Sequence, residues 1–487
     1  MQQLGGLDNL MIAGEVPNIP MHMSALMIYE TGGKAGTNKF AEALESRFLA
    51  LADQHFPILR CRLETLPLQL DNAYWVEDPR FNLHYHISRV ALPSPSNWQQ
   101  LYALFARFHA QPLDHARPLW EVMVVEGLDR LEGVPRGSTA LFLKIHHAVV
   151  DGKSALRLIS SLHSLDPDPD APTLADTMTD DAALDSDFQA PSLISKYGRA
   201  WWHSIERPLD MAGTLVKLLP DILSGATSTK KDAAPRPPTP HAFFNAEVDA
   251  DRVVGHIRMD MALLRRLEKK HHCTINDIAL CVVAGALRHY LLETGQLPQD
   301  DLQALMPIDI RRKDKDGTIG NHLSVAKVCL YTSYSEPGKR LAAICSESSA
   351  GKKQSKKKSN HALLHLVDDI HPAVMLWLGQ WLINSGQIDK LPQTVNTVVT
   401  NVPGLSSEAY LVGARLIDYL GFGPLAPNMG LFHTVSSTQD HVNVTFLSTA
   451  AFVGDGTGYL RALQHSLAEV TALKATGTPG RKPRAGA

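Results

Sequence analysis

The sequence predicts a two-domain protein of mixed α/β (α+β) class, and three observations carry that expectation. The chain has 487 residues, too many for one ordinary hydrophobic core. Short aliphatic and β-branched runs alternate with amphipathic helical stretches in both halves. Residues 227–240, TSTKKDAAPRPPTP, break the alternation and read as a linker. The predicted boundaries are 1–185 for the first domain, 186–245 for a helical, Pro-rich crossover, 246–475 for the second domain and 476–487 for a disordered tail.

The elements follow in order. Leu26 to Tyr29 reads as a strand. Lys39 to His55 reads as a helix with Phe40, Leu44, Phe48 and Leu51 on one side. Ser138 to Ile145 is a continuous apolar run, as a strand buried on both faces would be. Lys153 to Ser164 reads as the helix after it, with Leu156, Ile159 and Leu162 turned inward. Asp166 to Asp187 is an acidic loop. Ser192 to Gly225 suggests one or two amphipathic helices broken at Pro208. Their aromatic residues, Trp201 and Trp202 among them, suit either packing between domains or docking on lipid. In the second half, Thr274 is placed to cap a helix that carries Asn276 and Asp277 in its first turn. Leu305 to Ile310 reads as a strand ending at Arg311-Arg312, and Val395 to Val399 and Val442 to Leu447 read as further strands.

The chemistry is concentrated in His146-His147-Ala148-Val149-Val150-Asp151-Gly152. An imidazole able to act as a base near neutral pH stands where a buried strand would end. On a continuing strand the two histidines face opposite sides: His147 with Leu141, Leu143 and Ile145, His146 with Phe142 and Lys144. Glycine at 152 suits a tight turn. The plainer reading is a pair of hydrogen-bonded core histidines with Asp151 capping the next helix.

His-His-x-x-x-Asp-Gly resembles the active-site signature of acyltransferases related to chloramphenicol acetyltransferase. Further segments resemble the bacterial wax ester synthase/diacylglycerol acyltransferases within that superfamily. These are Leu7-Asp8, Pro20-Met21-His22, Pro118-Leu119-Trp120, Asn276-Asp277, Gly320-Asn321 and Thr400-Asn401-Val402-Pro403-Gly404. They run in order through nearly the whole chain. Tyr419 to Pro424 matches the family's late Gly-Pro element only loosely, which bears on the acceptor pocket. The resemblance implies two chloramphenicol acetyltransferase-like domains, each a mixed sheet with flanking helices, and an active-site tunnel at their interface. It implies His147 as the general base, with direct attack in a ternary complex. It implies support from His146, Asp151, Gly152 and an arginine paired with Asp151, either Arg311 or Arg62. Asn276, Trp120 and Asn401 are the candidate substrate contacts; Asn276 also reads as a cap residue, and Trp120 as packing. The implied substrates are a long-chain acyl-CoA and a long-chain alcohol or diacylglycerol, with no metal and no cofactor beyond acyl-CoA.

Composition narrows the alternatives. Net charge is −3, which does not indicate nucleic-acid binding. The five cysteines are odd in number and form no Cys-x-x-Cys pair, as expected for reduced thiols in a cytoplasm rather than a zinc site. No basic, apolar leader opens the chain. The most apolar segment, Pro372 to Ile383, is short of the ~20 residues of a bilayer span. An enzyme with insoluble products is then expected at a membrane or lipid-inclusion surface. Lys352, Lys353, Lys356, Lys357 and Lys358 suit coenzyme A phosphates, anionic headgroups or a solvated loop. Three rival functions stay open: a glycerolipid acyltransferase of the His-x-x-x-x-Asp type, a condensation-type domain, and a non-catalytic lipid-binding protein with this fold. Oligomeric state is not legible.

Overall fold

The structure, a computed structural model, describes residues 2–16, 18–150, 152–176, 188, 192, 194–204, 239–309, 323–354, 371, 373–374, 376–377, 381, 385–386, 393–402, 404–405 and 407–473. Residues 205–238 of the crossover and the tail therefore lie outside the described residues, as does the second half of the acidic loop, 177–187.

The strand Ser138–His146 is the backbone of the first half. All nine of its residues are buried, because it lies between two antiparallel neighbours and is covered on both faces. The sheet runs Tyr410–Leu411, Ala414–Phe422, His22–Glu30, Ser138–His146, Trp120–Glu126, Ile87–Ala91, and is antiparallel except for its last pair. On one face, Ala140 and Phe142 join Leu26, Ile28 and the inner side of the helix Trp98–Ala110, through Leu101 and Phe105. On the other, Leu141, Leu143 and Ile145 meet Leu44 and Phe48 of the helix Lys34–Gln54, and Leu158, Ile159 and Leu162 of the helix Gly152–Leu162. The helix Lys34–Gln54 begins earlier than its apolar stripe suggests. Thr37 hydrogen-bonds the Gly33 carbonyl and the Thr139 hydroxyl, which fixes its polar first turn to the sheet.

The second sheet is also mixed. Its order is Leu323–Cys329, Gln303–Asp309, Thr397–Val402, Leu431–Ser437, His441–Thr449, Arg252–Asp260. Thr397–Val402 runs parallel to both neighbours. A third, small sheet holds Gln2–Gln3, Tyr74–Glu77 and Cys61–Glu64. The two large sheets are interleaved in sequence: Ala414–Phe422 comes from the second half and pairs with His22–Glu30 of the first. At its bulge, Asp418 is buried and ion-paired with Arg258 of the second sheet. His441 and Asn443 hydrogen-bond the same carboxylate.

One expectation is corrected. The helix Ile275–Glu293, capped by the predicted Thr274, which forms a capping box with Asp277, is long and apolar enough to cross a membrane by length and composition. It exceeds the Pro372 to Ile383 segment in length. Its Ile278 to Leu287 run is buried in the core, so its apolarity comes from being packed on all sides.

Candidate active site

The strand Ser138–His146 runs one residue beyond the predicted Ser138 to Ile145, and His147 sits in the turn after it. Three backbone hydrogen bonds set that turn. His146 N–H reaches the Leu119 carbonyl at 3.0 Å, His147 N–H the Met21 carbonyl at 2.9 Å, and Val149 N–H the His146 carbonyl at 3.0 Å. The neighbouring strands therefore fix the motif from both sides, through Met21 just before His22–Glu30 and Leu119 just before Trp120–Glu126. The helix Gly152–Leu162 follows, so the turn falls at residues 147–149, ahead of the glycine expected to form it.

The two histidines differ in setting because the strand ends between them. His146 is fully buried and pairs in register with His22. Its Nδ1 accepts the Ala148 N–H at 3.0 Å. Burial pushes its pKa down to about 4, the Glu15 carboxylate pulling the other way. It is neutral near pH 7. His147 is only partly buried, as a proton-transferring group that meets substrate must be.

Beneath the motif lies a polar layer on the His146 face. Lys144 Nζ is wholly buried and donates to the carbonyls of Phe108 and Gln111 at 3.1 and 2.9 Å. These carbonyls end the helix Trp98–Ala110, where the dipole favours a cation. Glu121 completes the pair at 2.9 Å. Burial pushes the Lys144 ammonium pKa down and Glu121 opposes the shift. His22 Nε2 contacts the His109 carbonyl at 2.6 Å, and Ser24 the His109 ring at 2.8 Å.

Both halves of the chain reach this region. Arg252, on the first strand of the second sheet, hydrogen-bonds the Asn18 carbonyl in the loop before Met21. Val402 and Leu405 pack in the same apolar cluster as Val149 and Val150. Among the cysteines, Cys61 shares a cluster with Ala148. Its Sγ donates to the Pro57 carbonyl, and burial pushes its thiol up to about 12, the wrong direction for a nucleophile.

Comparison with known proteins agrees with this geometry. Residues 4–279 match the wax ester synthase/diacylglycerol acyltransferase catalytic domain, and residues 319–471 match the C-terminal domain of the same proteins. The chain is 30% identical over 474 residues to a Mycobacterium tuberculosis protein named as a diacylglycerol O-acyltransferase, covering 96% of this chain and 90% of that one. The chain belongs to the wax ester synthase/diacylglycerol acyltransferase family. It is an acyl-CoA-dependent O-acyltransferase. The fold matches that of the Marinobacter aquaeolei VT8 wax ester synthase/diacylglycerol acyltransferase, with a TM-score of 0.66, 23% identity, and coverage of 96% of this chain and 98% of that one. The first condensation domain of the calcium-dependent antibiotic synthetase shares the architecture more distantly, with a TM-score of 0.53, 14% identity, and coverage of 98% and 97%.

In this acyltransferase the remaining candidate residues fall in different settings. Gly152 opens the helix after the motif. Asp151 and Arg311 lie outside the described residues, and Pro403 does too. Arg62 lies with its guanidinium at the Leu63 carbonyl. Trp120 is packing: it is buried, stacked on His86 and Phe48, and its indole N–H donates to the Leu59 carbonyl at 2.8 Å. Asn276 sits in the first helical turn with its amide on the Met306 sulfur at 3.1 Å. The cap is Thr274 with Asp277, so Asn276 is free of capping work. Asn401 is exposed near the end of Thr397–Val402. Lys352 and Lys353 fall in the last turn of the helix Pro337–Gln354, while Lys356, Lys357 and Lys358 lie outside the described residues.

Two residues that sequence reading passed over stand beside the motif. Glu15 Oε2 accepts from His115 Nε2 at 2.6 Å and lies 3.8 Å from His146 Nε2. They are a hundred residues apart in the chain, so no spacing reveals them as a pair. The one available signal was an acid shortly before Pro20-Met21-His22.

Proposed function

We propose that this enzyme moves a long-chain acyl group from its coenzyme A thioester to a long-chain alcohol or diacylglycerol, forming wax ester or triacylglycerol, with His147 as general base. The observation that carries the reading is His147 itself: an accessible imidazole on a turn fixed by backbone bonds, beside a neutral, buried His146. The His147 imidazole takes the hydroxyl proton as the oxygen attacks the thioester carbonyl. The tetrahedral intermediate collapses, the C–S bond breaks, and the protonated imidazole returns the proton to the leaving thiolate. The route needs no acyl-enzyme and no cofactor. Purified protein with palmitoyl-CoA and either hexadecanol or dioleoylglycerol tests it by thiol release. His147→Ala is expected to lower turnover by about a hundredfold or more with the fold intact; near-parental turnover would remove His147 from the mechanism.

We further propose that the enzyme works peripherally on a lipid surface. Residues 194–204 form a helix whose inner side is tethered to the small sheet and the loop within it: Lys196 pairs with Glu64 at 2.6 Å and His203 with Asp71 at 2.8 Å. Its outer side exposes Ile194, Tyr197, Trp201 and Trp202. The aromatic face is therefore turned to solvent, which favours docking over packing between domains. Co-sedimentation with liposomes is expected, and Trp201→Ser/Trp202→Ser should weaken it more than added salt does. A protein that stays in the supernatant with every lipid mixture has no such surface.

A further inference from the structure

Glu15 is a nearly buried carboxylate, its side chain 9% exposed, placed between the first helix and the strand that carries His22. Its two oxygens do separate work. Oε1 accepts the Met21 N–H at 3.0 Å, and the Met21 carbonyl accepts the His147 N–H at 2.9 Å. Oε2 accepts from His115 and faces His146. Burial raises the Glu15 carboxyl pKa, but the His115 bond, His146 and the Met21 N–H outweigh it, and the net shift is downward. The group is a carboxylate at neutral pH.

Glu15, His115 and His146 bring their ligand atoms within 4.8 Å of one another, as a metal site would. The tautomer argues against that use. His146 Nδ1 accepts a hydrogen bond from the Ala148 N–H, so the single proton of the neutral ring sits on Nε2. A metal needs the Nε2 lone pair. What faces Glu15 is instead a buried N–H with no hydrogen-bond partner of its own, held toward a carboxylate 3.8 Å away. The arrangement is an anion collecting donors from the segments that build the motif. The loop it closes is gripped a second time, by Arg252 at the Asn18 carbonyl.

We infer that Glu15 is a positioning residue for acyl transfer: through Met21 it holds the His147 backbone in place. The inference rests on His147 as the base. It specifies reach rather than charge as the property of Glu15 that matters, because the Met21 N–H is contacted by one oxygen at the end of the side chain. Small displacements of a catalytic group cost large factors in rate.

Two variants separate reach from charge. Glu15→Gln keeps an oxygen at the Met21 N–H and removes the charge. Glu15→Asp keeps the charge and draws it back by one methylene. Turnover and KM for palmitoyl-CoA are measured with hexadecanol, alongside thermal midpoints and metal content by mass spectrometry. Glu15→Asp is expected to lower kcat about tenfold or more with KM within about twofold, while Glu15→Gln stays within about threefold of the parent. Parental kcat in Glu15→Asp overturns the inference. So does an equal loss in both variants, which would make charge the operative property, or a loss no larger than the fall in folded protein. A stoichiometric metal ion in the parent that both variants lose would make the trio a metal site. If Glu15→Asp does not fold, Glu15→Ala takes its place with the same expected drop in kcat. His147→Ala is run beside them: if it keeps parental turnover, the base assignment has failed rather than the role of Glu15.

Discussion

At the scale of single residues, the site is organised by burial. His146 and His147 are adjacent and chemically identical, yet one is sealed and neutral and the other meets solvent. The difference is one step along a backbone that ends a strand. Lys144 shows the same logic for a cation. It is retained at the sheet centre because two helix-terminal carbonyls and Glu121 together replace its water. Glu121→Ala should therefore destabilise the protein by about 3 kcal/mol, leaving a buried charge short of its partner. Lys144→Met/Glu121→Ala should recover much of that loss. Urea midpoints of the parent and the two variants check this; a double variant no better than Glu121→Ala alone would show that packing, and not the charge, sets the cost.

At the scale of elements, close approach decides more than propensity. The helices Ile275–Glu293 and Thr457–Thr471 meet at Gly285. A Cβ there would lie 2.1 Å from Ser466 Oγ and 2.9 Å from Arg340 Nη2. Gly285→Ala in an open helix would stabilise by about 1 kcal/mol. Here it should destabilise by about 1–3 kcal/mol, because Arg340 is wholly buried and has no room to retreat. Adding Ser466→Gly should relieve part of the strain. Thermal melts decide the sign, and a more stable Gly285→Ala would mean that this helix pair packs less tightly than described.

At the scale of the whole molecule, buried histidines make the fold acid-sensitive. Burial holds His109 and His433 down at about 3, and His146, His163 and His256 down at about 4. Their ordinary value in the unfolded chain is about 6.5. Between these values the unfolded state binds the proton and the folded state does not, so stability rises with pH. The contribution is present above about pH 6.5 and is lost as pH falls toward the folded values, at up to about 1.4 kcal/mol per pH unit for each group. The buried Asp418, held low against its own desolvation by His441, His256 and Arg258, adds a further loss only below about pH 4. The unfolding midpoint should drop steeply from pH 6.5 to 5. A flat profile across that window would mean that these rings are protonated in the folded state.

The sequence by itself determined the local units: the apolar strand before the histidines, the helix after the motif and the capped helix at Thr274. Each depends on neighbours within a few residues, and the period of a strand or helix is written in such neighbours. It also determined the family, through short motifs spread over the chain. Tertiary structure alone decided that Ala414–Phe422 joins the first sheet, that Trp201 and Trp202 face outward while polar residues tether their helix, and that Trp120 is packing. It alone brought Glu15 and His115 to the motif. Those outcomes depend on which surfaces meet across long stretches of chain, and hydrophobic pattern specifies that a face is buried without naming what covers it.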